Sequence, residues 1–130
     1  MEINFLKNLT NKKRVSSKQG TRLTNSKNET PFKIAICEQL DNNFCFKNLT
    51  SADIKSLHRF IDDTVGRSLT ISKVDNLFLR TKGAVKQNIN GRDVVHYGKN
   101  KSPFRIFGYY NQDGYFNITR IDPKHKTNKP

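Results

Sequence analysis

The sequence predicts a small α+β fold, with two helices packed on an antiparallel sheet that closes as a three-stranded meander. Three observations predict it. Apolar residues alternate with polar ones over 32–40, and extended character returns over 92–97, 104–110 and 115–121, as in half-buried strands. Residues 50–66 and 70–80 instead repeat apolar side chains every three or four positions, which is the helical period. Asp113-Gly114 separates the last two extended runs and supplies the positive φ of a tight hairpin. Helices and strands fall in blocks rather than alternating, which favours α+β over a parallel α/β sheet.

Each element follows from local chemistry. Residues 1–31 are polar, with Phe5, Leu6, Leu9, Val15 and Leu23 as the apolar anchors, and read as a basic N-terminal arm. A single domain is expected over 32–130. Phe32, Ile34 and Ile36 alternate with Lys33, Ala35 and Cys37; Asp41-Asn42-Asn43 signals a turn, and Phe44-Cys45-Phe46 is extended again, so 32–46 reads as a β-hairpin. Thr50 or Ser51 caps the first helix and Asp53 sits in its first turn, where the helix dipole favours a carboxylate. Ile54, Leu57, Phe60, Ile61, Thr64 and Val65 form its expected buried stripe, and Gly66 ends it. The second helix starts at Thr70 or Ser72, presents Val74, Leu77 and Phe78 on one face, and ends between Arg80 and Gly83. Residues 82–91 lack a period and read as a loop. Arg92–Tyr97 is a short strand, and Pro123 stops the last one.

Composition limits the function. The chain has 130 residues, which suits one domain, and carries 24 Lys+Arg against 11 Asp+Glu, a net charge of +13. The charge divides into +5 over 1–31, +1 over 32–81 and +7 over 82–130. A near-neutral scaffold therefore lies between two basic ends, and an anionic partner is the leading expectation: nucleic acid first, a membrane surface or acidic protein second. Asn occurs 15 times, a mark of AT-rich coding, and part of the Lys excess reflects that bias. No apolar run approaches the ~18 residues of a membrane span, so membrane insertion is not expected. No apolar stretch follows Met1 to Lys7 as in a secretory signal, which makes the cytoplasm the expected compartment and keeps Cys37 and Cys45 reduced. Those cysteines and the three His residues match no zinc spacing. Neither a P-loop, a G-x-S-x-G elbow nor an H-E-x-x-H pair is present. No metal or cofactor is expected.

The candidate site lies in the C-terminal third. For an even-length loop around Asp113-Gly114, strand alternation places Arg105, Phe107 and Tyr109 on one face with Phe116, Ile118 and Arg120. The other face then holds Phe104, Ile106 and Tyr110 with Tyr115, Asn117, Thr119 and Ile121. Two arginine forks beside an aromatic suit a phosphate and a stacked base, although Arg105 could equally pair with Asp122 across the strands. In Lys124-His125-Lys126 the flanking cations disfavour the imidazolium, leaving His125 able to exchange a proton near neutrality. His96 is a second candidate. His58 reads as a packing or capping residue, and Asp62-Asp63 as a solvated helix face.

Phe104-Arg105-Ile106-Phe107-Gly108-Tyr109-Tyr110, Asp113-Gly114, Phe116-Asn117-Ile118 and Lys124-His125-Lys126 together resemble the closing strands of RelE/YoeB/ParE-type toxins. The preceding order of strand, two helices and meander is similar to that fold. The first hairpin, the arm over 1–31 and the ending Asn128-Lys129-Pro130 in place of His-Tyr depart from the pattern. The resemblance implies a metal-free ribonuclease toxin that cuts mRNA, on or off the ribosome, and is neutralised by an acidic antitoxin protein. A ribose 2′-hydroxyl would attack the adjacent phosphate. Arg105, with Arg120, would stabilise the developing charge, and His125, with His96 in reserve, would move the proton. Tyr109 or Tyr110 would stack on a base, while Lys101, Lys124 and Lys126 would hold flanking phosphates. Two other readings fit the composition: a non-catalytic nucleic-acid-binding protein, and a phage or mobile-element module that docks on an acidic protein surface.

Overall fold

The computed structural model describes residues 29–80 and 86–128; most of the arm expected over 1–31 lies outside them. The fold is α+β. Six strands form a mixed, curled sheet: β1 (Ile34–Ala35), β2 (Leu79–Arg80), β3 (Gln87–Ile89), β4 (Arg92–Gly98), β5 (Arg105–Tyr110) and β6 (Phe116–Asp122), in the order β1-β6-β5-β4-β2 with β3 also on β4. β4, β5 and β6 form the expected antiparallel meander. β1 joins β6 in parallel.

Two helices cover one face. In α1 (Ser51–Thr64), the Thr50 hydroxyl accepts from Asp53 N at 3.2 Å while the Asp53 carboxylate accepts from Thr50 N at 2.9 Å, a reciprocal cap of about 1 kcal/mol. In α2 (Ile71–Phe78), the Thr70 hydroxyl accepts from Lys73 N. The helix ends at Phe78 because Leu79 and Arg80 pair with Tyr97 and His96. The two helices bury Leu57, Phe60, Thr64, Ile71, Val74 and Phe78 against Tyr97, Ile106, Phe116 and Ile121. Phe32 lies at the centre, with ring centroids 5.7 Å from Tyr97, 5.9 Å from Phe116 and 6.3 Å from Phe60.

Four expectations need correction. The first helix buries a narrower stripe than the sequence suggests: Ile54, Ile61 and Val65 are exposed, because at ~100° per residue they lie about a quarter-turn round from Leu57, Phe60 and Thr64. Leu77 of α2 is likewise exposed. The segment 32–46 is not a hairpin. It runs along the free edge of β6 instead, where Lys33 O accepts from Phe116 N, Asp41 N donates to Thr119 O, and Phe44 O accepts from Ile121 N. That edge would otherwise leave unpaired donors and acceptors. The loop expected over 82–91 contains β3, which pairs with β4 through Asn90-Gly91. Both turn residues have positive φ, 54° and 80°, as a two-residue hairpin turn requires.

The fourth correction concerns the last hairpin. Its loop has odd length, because Tyr110 pairs directly with Phe116. Phe116 and Ile118 therefore face the helices with Tyr110, and Asn117 takes the opposite face with Tyr109. The register then slips at Phe107/Gly108: Thr119 is the extra residue of a β-bulge, and Arg120 returns to the face of Phe107 and Arg105. Gly108 is required there, since a Cβ would stand 2.3 Å from Asn117 O.

Candidate nucleic-acid interface

The sheet face away from the helices is built from His96, Phe107, Arg105 and Arg120. His96 lies opposite Phe107 and stacks on it, with centroids 4.6 Å apart and planes 16° apart. Burial, followed by the positive fields of Arg105, His125 and Arg80, pulls its pKa down to about 4, against the opposing field of Asp122. The imidazole is therefore neutral at pH 7.

Arg105 is 8 % exposed. Its Nη1 donates to the carbonyls of Ser102, Phe104 and Lys99, so the guanidinium holds the β4–β5 turn together. Its Nε has no hydrogen-bond partner among the described residues. Gly98, its cross-strand neighbour, leaves room for the side chain, since a Cβ there would fall 2.6 Å from Arg105 Cδ and Nη1. Arg80 donates to the Gly98 carbonyl at 3.2 Å. Burial lowers the pKa of Arg105, and the Arg80 field adds to it while Asp122 opposes it.

Asp122 is paired with Arg105 in the ladder, yet its carboxylate accepts from Lys126 N at 2.9 Å and Thr127 N at 2.7 Å. These bonds turn the chain back after Pro123 and leave His125 at φ 58°. The tail is tied down further by the side-chain amides of Gln87 and Asn128, which bond each other at 2.7 and 3.1 Å. Arg120 is held on three sides: its Nε donates to Asp41 at 2.8 Å, its Nη1 to Thr127 at 2.9 Å, and its guanidinium lies 4.0 Å from the Phe44 ring centroid.

The structure thus gathers His96, Arg105 and Arg120 on one sheet face, with His125 near enough to act on His96. It separates the tyrosines from them. Tyr109 reaches the opposite end of that face, where its hydroxyl donates to Glu38 at 2.9 Å and the Arg92 guanidinium lies 5.0 Å from its ring; Arg92 also pairs with Glu38. Tyr110 lies on the helix side. Its hydroxyl meets that of Tyr97 at 2.6 Å, and Tyr97 donates onward to Asp75; burial raises both phenol pKa values. Lys101 is exposed at the β4–β5 turn.

Lys124 and Lys126 are exposed at the rim of a cavity of about 510 Å³, also lined by Asn43, Phe44, Asn48, Thr50, Asp53, Asp122 and Pro123. Asp53 is engaged by the α1 cap and Asp122 by the tail amides, so both carboxylates already carry hydrogen bonds. Phe44, Asn43 and Asn48 were not visible as site residues in the sequence. Only the course of 36–46 along β6 brings them to Lys124, and no short-range pattern encodes that. Among the described residues no cluster of His, Cys, Asp or Glu could hold a metal ion, and no helix is long and apolar enough to cross a membrane.

No family model, curated protein or solved structure matches this chain.

Proposed function

We propose that the protein binds nucleic acid without cutting it, through the cavity between segment 43–50 and the tail 122–126. One observation carries this reading: the two exposed lysines of Lys124-His125-Lys126 stand on the rim of a ligand-sized recess, in a chain of net charge +13. Lysine ammonium groups free to move suit phosphates that pass along a strand. Salt-dependent retention of RNA or DNA tests it. Lys124→Ala with Lys126→Ala would weaken binding across sequences and reduce the slope of log affinity against log salt by about 2. Undiminished binding by that double variant would refute the site.

A second reading, the ribonuclease toxin, is favoured by the proximity of Arg105 and His125 to His96, whose pKa the fields of both lower. In that reaction the 2′-hydroxyl attacks phosphorus as an imidazole takes its proton, the guanidinium stabilises the phosphorane charge, and the P–O5′ bond then breaks to leave a 2′,3′-cyclic phosphate and a 5′-hydroxyl that takes the proton back from the imidazolium. It ranks second because Arg105 would first have to release the turn carbonyls it holds. Scission of ribosome-bound message with EDTA present, abolished by His125→Ala or Arg105→Ala, would promote it over the binding reading. The acidic antitoxin belongs to this reading alone.

A further inference from the structure

We infer that the cavity takes an unpaired strand rather than a duplex, with one base stacked on Phe44; this rests on the nucleic-acid reading above. Phe44 has two neighbours of different kinds. The Arg120 guanidinium lies 4.0 Å from its centroid, and the ring also lines the 510 Å³ cavity. Arg120 is itself fixed by Asp41 and Thr127, so the ring rests on an anchored cation. Its backbone is fixed too, because Phe44 O accepts from Ile121 N and Phe44 N donates to Asp41 O. In the proposed complex a flat ligand in the cavity stacks on the ring face opposite the guanidinium. It completes a base–phenyl–guanidinium sandwich on a platform that need not reorganise.

The remaining lining fits a nucleotide. Lys124 and Lys126 stand where a phosphate would leave the cavity for solvent. Asn43 is an exposed amide that offers both donor and acceptor to a base edge, and Asn48, whose Oδ1 accepts from Cys45 N and Sγ, offers its amide N–H groups. A duplex keeps its bases stacked in pairs and presents only phosphates and groove edges, so it could use the lysines but not the ring. Stacking is open to any base, and the site should therefore prefer single strands over duplexes before it prefers one sequence over another.

The test uses the full chain with fluorescein-labelled oligouridylate and a duplex RNA of equal length at low salt. The wild type should retain the single strand about tenfold more tightly than the duplex. Phe44→Leu keeps apolar bulk under Arg120 but removes the aromatic face, and should lose about tenfold in single-strand affinity with duplex binding unchanged. The chain contains no tryptophan, so Phe44→Trp introduces a single indole whose emission should be quenched by the single strand and not by the duplex. An unchanged thermal midpoint in Phe44→Trp shows that the fold is intact. Equal affinity for both nucleic acids, or no effect of Phe44→Leu while the lysine variants still weaken binding, overturns the stacking site alone. Failure to retain either nucleic acid overturns the binding reading and this inference with it.

Discussion

Replacing His96 by Phe should flatten the acid sensitivity of the fold between about pH 6.5 and pH 4. In the folded protein the imidazole is pressed on Phe107 beside Arg105, Arg80 and His125, and its pKa falls from 6.5 to about 4. In the unfolded chain it titrates near its ordinary value. Between those two limits the unfolded state binds a proton that the folded state refuses, so acid favours unfolding. Stability is whole above pH 6.5 and declines as the pH falls toward 4. At ~1.4 kcal/mol per tenfold, the displacement sets a ceiling of about 3 kcal/mol. Solvent screening reduces this to ~1–2 kcal/mol. Phenylalanine has nearly the same shape, keeps the stack on Phe107 and cannot titrate. Urea unfolding followed by far-UV circular dichroism at pH 7, 5.5 and 4.5 reads the difference. The wild type should lose ~1–2 kcal/mol more than His96→Phe across that range. Parallel losses in the two proteins would refute the reasoning.

Two further outcomes follow from the packing. Gly108→Ala pushes a methyl group to 2.3 Å from Asn117 O and 2.8 Å from the Phe116 ring; it should cost about 3 kcal/mol or more, seen as a drop in thermal midpoint, because the β-bulge cannot widen without moving β6. Tyr97→Phe removes the hydroxyl that links Asp75 to Tyr110 at 2.6 Å each and should cost ~1–3 kcal/mol in urea unfolding, with nucleic-acid affinity unchanged because that network lies on the helix side.

The fold class was legible because its signals are local. Thr50 with Asp53 and Thr70 act within a few residues of themselves and took their expected places, and Asp113-Gly114 marks the last turn although its loop is odd in length. Asn90-Gly91 was equally local and marks the β3–β4 turn, although 82–91 reads as a loop when only hydrophobic period is followed. Arg105 and Arg120 share a face, but not for the expected reason. The loop after Tyr110 has odd length, and the bulge at Thr119 reverses the parity a second time. Two departures from regularity cancelled for Arg120 and did not cancel for Phe116, Ile118 and Asn117. Neither departure leaves a mark in the strand pattern itself, apart from Gly108. The cavity was illegible for another reason: it joins Phe44 to Lys124 across 80 residues of chain, through an irregular edge segment whose backbone bonds to β6 carry no side-chain signature and whose side-chain bonds, Glu38 to Tyr109 and Asp41 to Arg120, join residues 71 and 79 positions apart.

The division of labour among the cations follows from their chemistry. A chain with 34 % apolar residues cannot cover both faces of its sheet with hydrocarbon, and the second face is closed by arginine instead. The planar guanidinium can satisfy several carbonyls or a carboxylate at once while its flat face lies on an aromatic ring. Arg105 closes a turn, Arg120 fastens segment 41–44 to the tail, and Arg92 lies over Tyr109. Arg105 and Arg120 are the residues a sequence reading selects for phosphate, and burial makes them the least able to reach it. The lysines carry no comparable fork and remain at the rim in water. In the proposed nucleic-acid site, Lys124 and Lys126 would therefore be the better guide to the ligand, and Arg120 would contribute through the ring it supports.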